Sequence, residues 1–301
     1  MRTVFKLARY ALWGLAGLTL LGAAAAGGAY MYIAPQLPTV DSLKDFKLQV
    51  PLRIYTRDHK LIAEFGEKRR IPVQYARIPD LMIKAVLAAE DDRFFEHPGV
   101  DYQGILRAAL HLAMTGEKSQ GGSTITMQVA RNFFLTREKT YLRKFSEMIL
   151  ALKIDRELTK QEILELYLNK IYLGHRAYGI GAAAQIYYGT DLDHLTLAQI
   201  SMIAGLPKAP SSYNPVTDPE RARIRRDYVL RRMRALGFID QKDFDEAMAA
   251  PITAQLHTLA AEVEAPYVAE RVRADMVARY GDDAYTAGYK VYTTLDSQLQ
   301  A

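Results

Sequence analysis

The stretch EDDRFFEHPGVD, residues 90–101, sets three consecutive carboxylates beside two phenylalanines and a histidine. An acid held against aromatic surface loses solvation of its charged form, which raises its pKa and suits it to accept a proton near neutral pH. If the helix that begins near Pro79 continues to the Pro98–Gly99 break, Glu90, Phe94 and His97 fall at i, i+4 and i+7 on one face. Asp91 then adds like-charge repulsion, while Asp92, Arg93 and Glu96 face solvent or close local pairs. The same residues also fit an acidic helix end with a histidine near the C-terminal dipole and no chemistry at all.

A second stretch, SQGGSTITMQVARNFF, is a glycine pair feeding Ser123 and Thr124 and then a helix. Unpaired backbone amides and the helix dipole make such a start a site for anions such as phosphate. Thr124, Gln128 and Arg131 recur at i, i+4 and i+7, while Ile125 and Val129 mark a separate apolar side. An ordinary capped amphipathic helix fits equally well. In the third stretch, REKTYLRKFSEMILALKIDREL, the spacing predicts a buried side of Leu142, Phe145, Ile149 and Leu152. Glu147 lies off that side, four residues after Arg143, where a surface ion pair is the default account. There is no HExxH, P-loop or nucleophile elbow, and Glu90 with His97 forms no recognisable metal set.

These residues need elements to hold them. From Pro79 to about Ala250 the apolar period is helical, broken at HPG, EKSQGGS, LGHRAYGIG and LPKAPSSYNP, which predicts a mainly α body. Thr159 with Glu162 and Thr196 with Gln199 read as capping boxes. LRIYTRDHKLIAEFGEKRRIPVQY predicts two or three short strands, and the tail predicts an amphipathic helix followed by the strand YKVYTTL. RARIRRDYVLRRMRALGF is a basic helix, either the solvated face of a packed helix or a surface for a membrane or an anionic substrate. Upstream, no charge occurs from Tyr10 to Pro35, longer than the roughly 20 apolar residues that cross a bilayer. Arg2, Lys6 and Arg9 before it place the N-terminus in the cytoplasm. A cleaved signal peptide ending in GAAAAGG is the rival. The absence of cysteine excludes disulfides and thiol chemistry. The net charge of +5 favours anionic lipid or phosphate-bearing partners, and nucleic acid is a poor partner outside the cytoplasm.

Taken in order, EDDRFFEHPGVD, GGSTITMQVARN, RKFSE, EILELYLNKIYLGHRAYGIGAAAQIYYG and IAGLPKAPSSYNP resemble the five motifs of the family 51 peptidoglycan glycosyltransferases, over residues 53–215. With the apolar run before them and GYKVYTTLDSQLQ after them, the chain is similar to the N-terminal part of a class A penicillin-binding protein. The resemblance implies a mainly α, lysozyme-like glycosyltransferase domain with an N-terminal transmembrane helix and small β-rich flanking segments. The implied division is 1–9 cytoplasmic, 10–34 transmembrane, 35–77 juxtamembrane and β-rich, 78–250 glycosyltransferase, and 251–301 a linker towards a transpeptidase domain. The SxxK and KTG motifs of such a domain are absent from this sequence.

The activity implied is polymerisation of lipid II into β-1,4 glycan strands with inversion and release of undecaprenyl pyrophosphate, on the periplasmic side of the bacterial inner membrane. Glu90 matches the family's base and Glu147 its second essential glutamate. Asp91, Phe94, His97 and Gly99 match the base's companions, Thr124, Gln128 and Arg131 match residues lining the donor's pyrophosphate site with Ser123 a further substrate-binding candidate beside them, and Lys139 and Arg143 are further candidates for charge there. A divalent cation, Mg or Mn, could serve there in place of these charges, with Glu147 orienting the cations or holding the metal. Implied partners are lipid II, the growing glycan chain, the membrane, and cell-wall synthesis proteins or lipoprotein activators. Three positions depart from the usual pattern: Met127 for a glutamine, Arg131 for a lysine and Gln199 for an acid, none at a proton-transfer position. A monofunctional transglycosylase, a lysozyme-like lytic enzyme and an inactive membrane scaffold are the alternatives.

Overall fold

A computed structural model describes residues 2–43, 48–116, 122–135, 141–257 and 262–300. It is mainly helical. Helix α1 (Arg2–Ile33) runs unbroken for 32 residues. Among the described residues no helix is long and apolar enough to cross a membrane. In α1 the side chains of residues 1–9, and of several apolar positions after them, lie outside that description, so the spanning helix expected over 10–34 is not shown.

Strands β1 (Leu52–Tyr55) and β2 (Leu61–Phe65) pair antiparallel, and β3 (Arg69–Arg70) follows. The sequence expectation of two or three short strands here matches. Far along the chain, α11 (Pro266–Tyr280) leads to β5 (Lys290–Tyr292), which joins β1 in parallel and completes a sheet of order β2-β1-β5. Leu52, Ile54 and Ile62 pack there with Val263, Ala265 and Ala269, a small cluster separate from the main core.

The main core is built by α2 (Asp80–Glu90), α4 (Ile125–Phe134), α5 (Tyr141–Glu157), α6 (Lys160–Lys170), α7 (Ile180–Tyr188), α8 (Leu197–Gly205), α9 (Pro219–Ala235) and α10 (Gln241–Ala249). Helix α3 (Tyr102–Thr115) contributes no buried residue. Both capping boxes form: Thr159 and Thr196 accept from the amides of Glu162 and Gln199, whose side chains accept from the cap amides in return. Several residues of the motif stretches are scaffold. Asn169 exchanges two 2.8 Å hydrogen bonds with the Val73 backbone, and β4 (Ala177–Tyr178) pairs with β3. Tyr187 donates to the Leu173 carbonyl and accepts from Asn214.

Three expectations are corrected. Helix α2 stops at Glu90 and does not reach Pro98, because Asp91 leaves the helix at φ −164° and ψ 79° and its side chain is captured elsewhere. The Glu90, Phe94, His97 helical stripe therefore does not form. On α5 the buried side is Glu147, Leu150, Ala151 and Ile154, whereas Leu142 and Leu152 are 60% and 37% exposed. Ile149 is buried as expected and Phe145 half-buried. The core lies about one residue round the helix from the purely apolar stripe, since the packed face accommodates a carboxylate that brings its own counter-charges. The third concerns α9: Arg225 and Arg226 are buried, so this basic helix is no simply solvated face.

Candidate active site

Glu90 ends α2 with its side chain 12% exposed. Its Oε2 accepts from Gln128 Nε2 at 2.9 Å, and its Oε1 lies 3.4 Å from Arg225 Nη2. Burial pushes this carboxyl above the ordinary carboxylate range. The Gln128 hydrogen bond and the positive charges of Arg225, Lys208 and Arg131 oppose that rise without cancelling it. Asp91 is not among these leading influences, contrary to the expected like-charge repulsion. Arg225 is itself anchored: its Nε donates to the Gly205 carbonyl and its guanidinium lies 4.5 Å from the centre of the Tyr228 ring. Gln128 also accepts from the Tyr167 hydroxyl at 3.4 Å. Complete burial raises that phenol well above its usual pKa, so it remains a donor.

Asp91 does a different task. Its carboxylate meets His97 Nε2 at 2.9 Å and accepts from the Ile125 amide at 2.9 Å. The first amide of α4 is thus satisfied by the protein's own anion, and the Met127 amide by the Thr124 hydroxyl. The helix start expected to bind phosphate is already filled. Thr124 in turn donates to the Gly99 carbonyl at 2.6 Å. Gly99 has φ +81°, and a Cβ there would come within 2.4 Å of the Ala151 carbonyl oxygen, so only glycine fits. Phe94 is fully buried, with Phe95 and His97 edge-on and the Lys160 ammonium 4.7 Å from its ring centre. Together Asp91, His97 and Phe94 fix the junction of α2 and α4, and through it the Glu90–Gln128 contact.

Two clefts open from that contact. One, of about 430 Å³, is lined by Glu90, Asp91, Ser123 and Thr124, with Arg107 and His111 of α3 opposite. The other, of about 510 Å³, is lined by Gln128, Arg131, Arg143, Lys170, Tyr172 and Tyr178. Lys170 is lowered to about 8 by burial and by the neighbouring charges of Arg70 and Lys68. Glu147 is buried behind this second cleft and forms ion pairs with Arg143 and with Lys144, the latter at 3.0 Å. Lys144 also donates to Ser123, which lines the first cleft, so the Glu147 ion pairs reach the walls of both clefts.

The sequence-predicted residues thus converge, apart from Lys139, which lies outside the described residues. Arg225, Lys208 and Lys170 were missed. Their signal was no more than a basic charge in a recognisable stretch, with nothing local to show what it faces. No group of three or more metal-ligating side chains occurs among the described residues. Glu147, next to the cationic cleft, is paired with Arg143 and Lys144.

Comparison with known proteins shows the family. The model of the transglycosylase family matches residues 58–234. The chain is 56% identical over 273 residues to penicillin-binding protein 1A of Pseudomonas aeruginosa, covering 91% of this chain and 33% of that protein. It is 54% identical over 281 residues to penicillin-binding protein 1A of Escherichia coli, covering 93% and 33%. A crystal structure of penicillin-binding protein 1A from Haemophilus influenzae is 38% identical and covers 84% of this chain and 28% of that one, with a TM-score of 0.49. The chain spans about a third of the length of the relatives it matches.

Proposed function

The chain belongs to the transglycosylase family, and from that premise we propose that it polymerises lipid II into β-1,4 glycan strands at a membrane surface. The observation that carries this reading is a buried carboxylate of raised pKa at the meeting point of two clefts, one of them lined by cations. Glu90 takes the proton of the acceptor sugar's 4-hydroxyl. The freed oxygen attacks the anomeric carbon of the donor chain from the opposite face, and the lipid diphosphate leaves with inversion. Gln128 and Arg225 fix the direction of the carboxylate, and Arg225 favours its ionised form. Charge building on the departing diphosphate is met by Arg131, Arg143 and Lys170, which need no reorganisation as the bond breaks. Glu147 holds Arg143 and Lys144 in place.

A lytic enzyme acting on finished glycan has no use for a cation-lined cleft beside its base. Incubation with purified strands separates the readings, because release of fragments counts against ours.

Membrane attachment is supported by the charge-free run from Tyr10 to Pro35. Within it Trp13, Leu20, Leu21 and Met31 are each more than 70% exposed, an arrangement that water disfavours and lipid does not. We place the N-terminus in the cytoplasm and the catalytic body outside the inner membrane.

The decisive experiment is Glu90→Gln assayed for lipid II polymer. Polymer should vanish with the melting temperature nearly unchanged, and wild-type yield from that variant overturns the assignment.

A further inference from the structure

Tyr167 is a buried polar group that the reaction above leaves unused. It lies on α6 among Ile163, Leu164 and Leu168 of the main core, and its side chain is fully enclosed. A phenol in such a place must give its hydrogen to an acceptor, or it forfeits the hydration it had in water. Among the described residues the acceptor it meets is the Gln128 amide oxygen, at 3.4 Å. The other end of the same amide holds Glu90, Nε2 to Oε2 at 2.9 Å. The two ends of an amide are chemically different, so its orientation has consequences here. As it stands, Oε1 takes the phenol hydrogen and Nε2 donates to the carboxylate. Turned over, the amide would set its oxygen against the Glu90 carboxylate and leave the phenol hydrogen without an acceptor. The hydroxyl thus selects the orientation from the far side of the amide.

Resting on the reading of Glu90 as the base of a lipid II polymerase, we propose that Tyr167 is a positioning residue, whose hydroxyl fixes which end of Gln128 faces Glu90 and so keeps the carboxylate aimed for proton transfer. It acts through Gln128 and touches no reacting atom. Its own support is firm, because Asn169, two residues along α6, is tied to the Val73 backbone by two 2.8 Å hydrogen bonds. The charges that face Glu90 come from other elements. Arg225 of α9, Lys208 of the turn Leu206–Lys208 and Arg131 of α4 favour its ionised form, while Asp91 beside it turns away to His97 and the Ile125 amide. These charges act on Glu90 directly, so they remain when the Tyr167 hydroxyl is removed.

Tyr167→Phe deletes the hydroxyl and keeps the ring in the core. The Gln128 hydrogen bond favours the ionised carboxyl, so loosening it raises the pKa of Glu90. The acid limb of the kcat/KM profile should therefore move to higher pH by roughly half a unit, which lowers activity on the acid side about threefold. A tyrosine that serves packing alone would change the melting midpoint and leave the limb where it is. Gln128→Ala should move the limb further, and adding Tyr167→Phe to it should move it no more, because the hydroxyl then has nothing to orient. An unmoved limb in Tyr167→Phe overturns the proposal, as does a shift that adds in full to that of Gln128→Ala. The carboxyl carbon resonance of Glu90, assigned by its loss in Glu90→Gln, follows the same titration in the full chain without turnover. If that titration moves as expected while the wild type forms no polymer, the polymerase reading fails and the positioning role stands.

Discussion

Glu90 and Glu147 are both buried glutamates at the edge of the same pair of clefts, yet their surroundings treat charge in opposite ways. Glu147 is closed by Arg143 and Lys144, whereas Glu90 has one guanidinium at 3.4 Å and an amide, and burial still holds its pKa up. A carboxylate saturated by cations is a poor proton acceptor and a good anchor. One that is desolvated and only partly compensated is poised to bind a proton. The two residues therefore divide the work of base and scaffold by environment alone.

The largest test of that division is Glu90→Gln. Loss of a general base costs about 10²–10⁴-fold in rate, and polymer yield should fall below detection while the thermal midpoint holds or rises slightly, since a buried charge is removed. Glu147→Ala should act differently. It leaves Arg143 without its buried partner, so the melting midpoint should drop, by the several degrees that correspond to ~2 kcal/mol or more, together with a raised donor KM.

Arg225→Met sharpens the comparison from the other side. The guanidinium favours the ionised carboxyl, so its removal raises the pKa of Glu90 further. The acid limb of the kcat/KM profile, already above the ordinary carboxylate range, should move to still higher pH, with activity largely recovered on the alkaline side. An unmoved limb would show that Arg225 does not tune the base. Gln128→Ala removes one hydrogen bond to the carboxylate, worth about 1.5–3 kcal/mol, and should lower kcat by about ten- to a hundredfold with the fold intact. The smallest effect is expected at Leu142→Ser. That position is 60% exposed, so unfolding in urea should change by less than about 0.5 kcal/mol, although the apolar spacing of α5 marks it as core.

The contrast at Leu142 shows where sequence reading reached its limit. The start of α4 at Thr124, the two capping boxes and the short strands near residue 55 were all legible, because each rests on residues within a few positions of one another. Glu90 could be singled out, but the end of its helix could not. Asp91 leaves the helix to serve His97 and an amide 34 residues away. The buried side of α5 was misplaced for a similar reason, since a glutamate reads as polar until the two cations that neutralise it are seen to pack beside it.

The sequence by itself determined most of the elements, the two capping boxes and the set of motifs that point to glycosyl transfer. All of these follow from steric and hydrogen-bonding preferences that act along the chain. Only the tertiary structure decided which acid is desolvated and which is paired, because ionisation depends on charges and solvent within a few ångströms, whatever their separation in sequence. Arg225 stands 135 positions after Glu90, and no periodicity connects them. Their meeting depends on how α9 packs against α2 and α8.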